Sequence, residues 1–159
     1  MVHDSACCNL IPSIKNVRQN KGPVMFKNFP SAMYTNDARV QECQKPQGRF
    51  SEAKRYYSGK HSLYCLKTEA SILPDGICAH VSNHVPGATA DIELMQKYLI
   101  WHIRALKKTK EDSSVTEDVE EGVNEFPESW PCILDKGYVG IDHHGIRAII
   151  PKKNQGISS

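Results

Sequence analysis

Two aspartates occupy positions from which their carboxylates can act together. Asp37 lies in a segment, residues 31–43, where apolar and polar residues alternate as in a half-buried strand. Asp135 follows a short apolar run, residues 131–134, that predicts a buried strand ending at a glycine turn. Carboxylates held together on rigid strands repel each other, and a divalent cation that prefers oxygen ligands relieves this repulsion. In phosphodiester chemistry two such ions activate water and stabilise the leaving oxygen, so this pair indicates metal-assisted phosphodiester chemistry.

A second group of residues suits contact with nucleic acid. The segment 44–59 contains Pro46, Gly48 and Gly59 and is predicted to be a loop. Cationic side chains meet phosphates, and aromatic rings meet bases or sugars. A solvated approach to the next hairpin is the alternative interpretation. The basic and aromatic residues in and just after this loop are Lys54, Arg55, Tyr56, Tyr57, Lys60 and His61.

Further polar residues suggest weaker hypotheses. Asp91 is either a third metal ligand or, more simply, a carboxylate at the start of a helix, where the helix dipole favours it. Histidines and one cysteine suggest a zinc site, but they do not have the spacing of a helical zinc motif. The residues concerned are Cys78 with His80 and His84, and separately His143 with His144.

The elements that must position these residues follow from hydrophobic periodicity. Residues 61–73 and 77–82 flank Pro74-Asp75-Gly76 and predict a hairpin, with Ile77, Ala79 and Val81 on one face. From Ala90 onward, apolar residues recur at three- and four-residue intervals, which predicts one amphipathic helix capped by Thr89 or Asp91. A last strand is expected at residues 146–150. The residues on the apolar stripe of the helix are Ile92, Met95, Leu99, His102, Ile103 and Leu106.

This order of elements predicts an α/β fold of the RNase H-like type. Such a fold has a mixed sheet with flanking helices, in which three antiparallel strands precede a helix and a fourth strand lies beside the first. In that arrangement Asp37 and Asp135 fall on neighbouring strands. We therefore expect the two carboxylates to share one edge of the sheet.

Length and composition set the class of protein. The 159 residues are 24% charged and 40% hydrophobic, which suits one domain with one core. No apolar run approaches the roughly 18 residues of a membrane-spanning helix, and the first ten residues lack the pattern of a secretory signal. An intracellular protein without a membrane segment is expected, not a secreted one. The six scattered cysteines are expected to be free thiols, with Cys65 and Cys78 as small buried hydrophobes.

Charge is distributed unevenly along the chain. Residues 111–128 hold eight acids and no Lys or Arg. The rest of the chain therefore has 20 Lys and Arg but only 10 Asp and Glu. The basic remainder suits a surface that meets phosphates, although many soluble domains are mildly basic. The acidic segment, residues 110–129, is predicted to be a disordered insertion or a surface loop rather than part of the core.

Several short motifs together resemble the endonuclease domain of Harbinger/PIF-type transposases, in the DDE superfamily. This resemblance implies DNA cleavage with three acidic residues and Mg²⁺ or Mn²⁺, in which Asp37 matches the first acid and Asp135 the second. Some relatives carry an acid at the position of Asp91. The resemblance also implies a nuclear location. The matching stretches are residues 26–30 (FKNFP), the strand around Asp37, 56–61 (YYSGKH), 66–69 (LKTE), 74–76 (PDG), the Pro86-Gly87 loop up to Asp91, 135–138 (DKGY) and 149–153 (IIPKK).

The chain departs from the family pattern at both ends. The third acid of the family lies on a helix after the last strand, whereas residues 152–159 contain no acid. The fold is therefore expected to be incomplete at its C-terminus. The DNA-reading helical domain also has no counterpart here, so a DNA-binding partner protein supplied in trans is a further expectation. The expected organisation is a poorly structured segment 1–30, a nuclease domain 31–153 with the insertion 110–129, and a tail 154–159.

Two functions remain open on the sequence. The first is a DNA endonuclease domain that uses Asp37 and Asp135 for metal binding and catalysis. The second is a catalytically inactive remnant of a transposase that binds DNA or protein.

Overall fold

A computed structural model describes residues 24–110, 112 and 117–150. The described chain is an α/β structure in which a mixed, seven-stranded sheet packs against two short helices. Predictions for residues 1–23 and 151–159 lie outside the described residues. None of the described helices has the length and apolar character that crossing a membrane requires.

The elements follow the chain in an order close to the predicted one. The segment 44–59, predicted to be a loop, contains a helical turn and a short strand, and a further short strand lies within 83–89. The strands are β1 (Thr35–Glu42), β2 (Tyr57–Ser58), β3 (Leu63–Ile72), β4 (Cys78–Val81), β5 (Val85–Pro86), β6 (Cys132–Leu134) and β7 (Ala148–Ile149). The helices are α1 (Phe50–Lys54), α2 (Asp91–Lys97) and α3 (Leu99–Leu106), with 3-10 helices at Lys136–Tyr138 and Ile141–His144.

Strand β3 is the centre of the sheet. It pairs antiparallel with β1 along eight residues, from Thr35 opposite Ile72 to Glu42 opposite Cys65. Its other edge pairs antiparallel with β2, β4 and β5. On the far side of β1, strands β6 and β7 run parallel to it and to each other. The strand order is therefore β2-β3-β1-β6-β7, with β4 and β5 also bound to β3.

The predicted single helix is two helices. The chain leaves helical geometry at Tyr98, where φ is −110° and ψ is 17°, and the Tyr98 hydroxyl accepts a hydrogen bond from the Asn83 amide at 2.8 Å. The N-cap is Ala90 rather than Thr89 or Asp91, and its amide donates to Glu93 at 3.3 Å. Tyr98 thus ties the helix junction to the loop after β4.

The prediction for the inward face of β4 is wrong. Ile77 and Val81 are each 48% exposed, whereas Ala79 and His80 are buried. The cause is a shift in the pairing with β3 between Ser71 and Ile72, because an irregularity of one residue moves side chains to the opposite face. Cys78, which pairs with Ile72 on the outward face, is exposed, contrary to expectation, while Cys65 is buried as predicted. The described cysteines, Cys43, Cys65, Cys78 and Cys132, are free thiols as predicted.

The core lies between the sheet and helices α2 and α3. Apolar residues from both layers fill it, and two of the bulkiest are Trp130 and Tyr34, each 1% exposed. Polar groups are also buried there, because the inward face of β3 alternates Cys65, Lys67, Glu69 and Ser71. Each of these three polar side chains has a partner, which is what burial away from water requires.

The acidic segment is a turn-rich loop that is anchored to the domain over its described residues. The Arg147 guanidinium is 1% exposed and holds the Asp118 carboxylate by two contacts, of 2.5 and 3.0 Å. Arg147 also donates to the carbonyls of Glu120 and Glu121, and Lys108 adds a second ion pair to Asp118 at 2.6 Å. The segment therefore contributes the nearly buried Asp118 to the domain, and its Asp112 is buried as well.

Candidate functional site

Asp37 and Asp135 lie at neighbouring positions of the sheet. The parallel pairing of β1 with β6, predicted from the sequence, is confirmed, and its register sets Asn36 opposite Leu134. Asp37 and Asp135 are the next residues on the two chains. Their side chains are 54% and 50% exposed. These two residues form what we call the carboxylate edge.

Each aspartate of the carboxylate edge has a cation nearby. Arg39 Nε lies 3.7 Å from an oxygen of Asp37, and Lys60 Nζ lies 3.7 Å from an oxygen of Asp135. The second oxygen of Asp135 accepts a hydrogen bond from the Lys136 amide, so Asp135 also caps the 3-10 helix that follows it. Exposed ion pairs of this kind contribute about 0 to 1 kcal/mol, so a metal ion can displace these contacts at little cost.

Asp91 has a different environment. Its carboxylate pairs with Lys67 Nζ at 2.8 Å, and the two side chains are only 13% and 10% exposed. Lys67 also donates to the Thr89 carbonyl at 2.6 Å. Asp91 packs directly against Gly137, where any side chain would overlap its carboxylate. The structure thus brings Asp91 beside the turn after Asp135, but with its charge already compensated by Lys67.

The residues predicted to contact nucleic acid lie on one exposed stretch, which we call the basic cluster: Lys54, Arg55, Tyr57, Lys60 and His61. Lys54 ends α1, and Tyr57 in β2 packs edge-on against Tyr64 with ring centroids 5.2 Å apart. Lys60 links this stretch to the carboxylate edge through its contact with Asp135. Positive charge therefore lies directly beside the two exposed carboxylates.

A second group of titratable residues lies inside the core. It consists of Glu69 on β3, His80 on β4 and His102 on α3, which are 0%, 7% and 0% exposed. One ligand atom of each lies within 4.8 Å of those of the others, a distance from which a metal ion can be held. Within the described residues this is the one such group of three, and it includes neither Asp37, Asp135 nor Asp91. We call it the buried cluster.

Hydrogen bonds fix the orientation of the buried cluster. His102 Nε2 lies 3.1 Å from Glu69 Oε1, and His102 Nδ1 lies 2.8 Å from the Tyr34 hydroxyl. Tyr138 donates to Glu69 Oε2 at 3.3 Å. Because a carboxylate only accepts, we assign a ring proton of His102 to Nε2, which donates it to Glu69.

His80 is the incompletely bonded member. Its Nδ1 is buried and has no hydrogen-bond partner. The ring stacks on Trp101, with centroids 4.3 Å apart and planes 25° apart, and meets Tyr98 edge-on. Burial lowers the pKa of His80, as does the neighbouring His102, and these effects outweigh the opposing charge of Glu69. The structure therefore holds the His80 ring in its neutral form, with the lone pair or N–H of Nδ1 unused.

The phenols and thiol around the buried cluster stay protonated. Burial raises the pKa of Tyr34 and Tyr138, and the charge of Glu69 adds to the shift in both. Burial also raises the pKa of Cys132, to about 12. Tyr34 and Tyr138 are thus neutral hydroxyls that position His102 and Glu69.

The zinc hypotheses drawn from the sequence included only one member of the buried cluster. His84 is exposed and bonds Thr68, and the exposed Cys78 thiol donates to the backbone carbonyl of His80. His143 and His144 are exposed on a 3-10 helix. Glu69 and His102 were not identified as site residues, although a histidine on an apolar helical stripe and a glutamate within an alternating strand are each a usable signal.

Comparisons with known proteins identify no relative of the chain. Neither family models, nor curated proteins, nor solved structures gave a match to the chain.

Proposed function

We propose that residues 31–153 are an RNase H-like, transposase-derived DNA endonuclease domain of the DDE type. In this proposal Asp37 and Asp135 bind Mg²⁺ or Mn²⁺ and act on phosphodiester bonds, and the basic cluster holds the DNA backbone. The observation that carries the proposal is the register of β1 and β6, which sets two exposed aspartates side by side on parallel strands. A nuclear location and a DNA-binding partner in trans belong to the same proposal.

The arrangement of strands supports the proposed fold. A central antiparallel set, β4-β3-β1, continues on its other side into two strands parallel to β1. Along the chain, helices α2 and α3 follow the antiparallel strands and precede the strands parallel to β1. An RNase H-like core has this order and these directions, which is why strand topology favours it over other mixed sheets.

The donor atoms of the carboxylate edge suit the proposed ions. Both ligands are carboxylate oxygens, and hard cations such as Mg²⁺ prefer oxygen ligands and retain several waters. Half-exposed side chains leave room for such waters and for a phosphate oxygen. When bound, the ions would supply charge stabilisation at the phosphate and an activated water. Lys60, next to Asp135, would orient the phosphate backbone.

An inactive remnant that binds DNA or protein is the second candidate. One observation favours it over an active enzyme. The charge of Asp91 is already paired with Lys67, at 2.8 Å, so Asp91 is less available as a further metal ligand. Two carboxylates supply part of an oxygen shell, and a two-ion reaction needs a further acid to hold the second ion.

Mn²⁺ binding and DNA cleavage by the full chain test both candidates. Electron paramagnetic resonance of Mn²⁺ should show binding that is lost in the variant Asp37→Asn, Asp135→Asn. Supercoiled DNA with Mg²⁺ or Mn²⁺ then separates the functions, because nicking that disappears in this variant establishes an endonuclease. Mn²⁺ and DNA binding without nicking establishes the remnant. Mn²⁺ binding that the double variant does not weaken would refute the assignment of the site.

The salt dependence of DNA affinity tests the basic cluster. Removing two phosphate contacts, with Lys54→Gln and Lys60→Gln, should reduce the slope of log affinity against log salt by up to about 2. The matched control, Lys97→Gln with Lys107→Gln, removes the same charge from exposed positions beside helices α2 and α3. Equal effects of the two pairs would mean that only net charge matters.

A further inference from the structure

The buried cluster combines three metal-binding side chains with one buried nitrogen, His80 Nδ1, that has no hydrogen-bond partner. Three elements, β3, β4 and α3, each contribute one residue, and all three residues are more than nine-tenths buried. His80 Nδ1 has no partner there, although burying an unpaired polar group is unfavourable. We propose that Glu69, His80 and His102 hold one zinc ion within the core of the domain. This site is separate from the carboxylate edge and does not depend on its function.

The donor set selects the class of ion. Two imidazole nitrogens with one carboxylate oxygen suit zinc and its transition-metal neighbours, whereas Mg²⁺ and Ca²⁺ prefer oxygen ligands alone. The 3.1 Å between His102 Nε2 and Glu69 Oε1 is close to the roughly 3.3 Å between two ligands of tetrahedral zinc with bonds of about 2.0 Å. The third ligand atom, from His80, lies within 4.8 Å of both, so the three side chains can supply three of the four ligands of a tetrahedral zinc ion.

Charge balance also favours an ion. Glu69 is completely buried, and the one ion-pair partner it has among the described residues is His102. Burying a carboxylate in a medium of low dielectric constant is costly unless the charge is paired or binds a metal. A dication bound to Glu69 removes that cost. It also provides a partner for the lone pair of His80.

The surrounding hydroxyls form the outer shell that such a site needs. A histidine that binds metal through Nε2 carries its proton on Nδ1 and donates it to a nearby oxygen. Tyr34 Oη lies 2.8 Å from His102 Nδ1, and its hydroxyl can turn to Cys132, its other hydrogen-bond neighbour. Tyr138 holds the second oxygen of Glu69. With metal on Nε2, His102 would therefore keep its hydrogen bond to Tyr34 through Nδ1.

Burial decides the role of the ion. Glu69 and His102 have no exposed surface, so a substrate cannot reach the metal without opening the core. The ion is therefore structural. It joins the central strand to β4 and to α3, whose junction with α2 at Tyr98 is irregular.

Metal analysis of the full chain tests the proposal. We expect the chain, loaded with Zn²⁺ and dialysed, to retain one ion per molecule and to unfold at a higher temperature than the chelator-treated form. Replacement by Co²⁺ should give the visible absorption of a tetrahedral site. His80→Phe keeps the ring stack on Trp101 and should abolish stoichiometric binding, and Tyr34→Phe should weaken it by about 10- to 100-fold.

Control variants separate this site from other metal binding. His84→Phe and His143→Ala remove exposed histidines and should leave zinc affinity unchanged. Asp37→Asn with Asp135→Asn should also leave it unchanged, because that site is distinct. The proposal fails if folded His80→Phe retains stoichiometric zinc, if the exposed histidines account for the binding, or if the wild-type chain retains less than one ion.

Discussion

The carboxylate edge and the buried cluster use acidic residues of the same sheet in opposite ways. Asp37 and Asp135 are half exposed, and their cationic neighbours stand 3.7 Å away on flexible side chains. Glu69 is fully buried and is held by His102 and Tyr138. We therefore expect the first pair to be available to a ligand and to contribute little to stability, and the second group to stabilise the core.

The largest expected effect is the loss of Glu69. Glu69→Ala removes the partner of both His102 and Tyr138 and leaves a cavity among polar groups. Leaving a buried polar group without its partner costs about 1 to 3 kcal/mol of unfolding free energy, and this variant does so at both His102 and Tyr138. Urea denaturation monitored by tryptophan fluorescence measures it, since Trp101 and Trp130 lie in or beside the core.

Glu69→Gln is the matched control for that variant. The amide keeps the volume and one acceptor oxygen, so the loss of stability should be clearly smaller than that of Glu69→Ala. If both variants unfold within about 0.5 kcal/mol of the wild-type chain, the buried cluster is not an element of stability. The contrast with the carboxylate edge would then disappear.

The two regions also differ in how far the sequence predicts them. Alternation and turn residues located β1, the β3-β4 hairpin, β6 and the helical region correctly, because each signal is local. The inward face of β4 was predicted wrongly, because the shift in pairing at Ser71 and Ile72 arises from tertiary context. That shift is what turns His80 toward the core.

The buried cluster could not be assembled from the sequence for the same reason. The pairing of β3 with β4 and the packing of α3 on the sheet bring its members together, and no local motif encodes either contact. Glu69 stands in a strand whose buried positions are mostly polar, which reverses the usual expectation for an inward face. Asp37 and Asp135, in contrast, follow from strand order alone. Their adjacency in the sheet was predictable, and their role stays a prediction.

A carboxylate of intermediate burial sharpens the comparison. The Asp118 side chain is 9% exposed. Burial opposes its ionisation, but hydrogen bonds and charge from Arg147 and Lys108 outweigh this and hold its pKa below the usual 3.8. A folded-state pKa below the unfolded one means that the stabilisation is complete above about pH 4 and is lost as the pH falls through the folded pKa.

Acid denaturation tests this effect, which should be smaller than the loss of Glu69. Urea midpoints measured from pH 7 down to about pH 2.5 should fall more steeply for the wild-type chain than for Asp118→Asn, which no longer titrates at this position. Glu117→Gln is the control, because Glu117 is an exposed acid of the same segment. Parallel curves for the wild-type chain and Asp118→Asn would show that the ion pair with Arg147 contributes no pH dependence.

The smallest effect on stability is expected at the carboxylate edge. Asp37→Asn with Asp135→Asn removes two exposed ion pairs, each of which contributes about 0 to 1 kcal/mol, and also removes the repulsion between the two charges. Asparagine still accepts the hydrogen bond from the Lys136 amide, so the cap of the 3-10 helix remains. The unfolding free energy should therefore stay within about 0.5 kcal/mol of the wild-type value in the absence of divalent ions. Asp135→Ala deletes the cap and should lower the unfolding free energy by about 1 kcal/mol. This value is the most that Asp135 should contribute to stability. A loss of several kcal/mol in the asparagine double variant would place these carboxylates in the same class as Glu69, and their exposure would then no longer indicate a site kept open for a ligand.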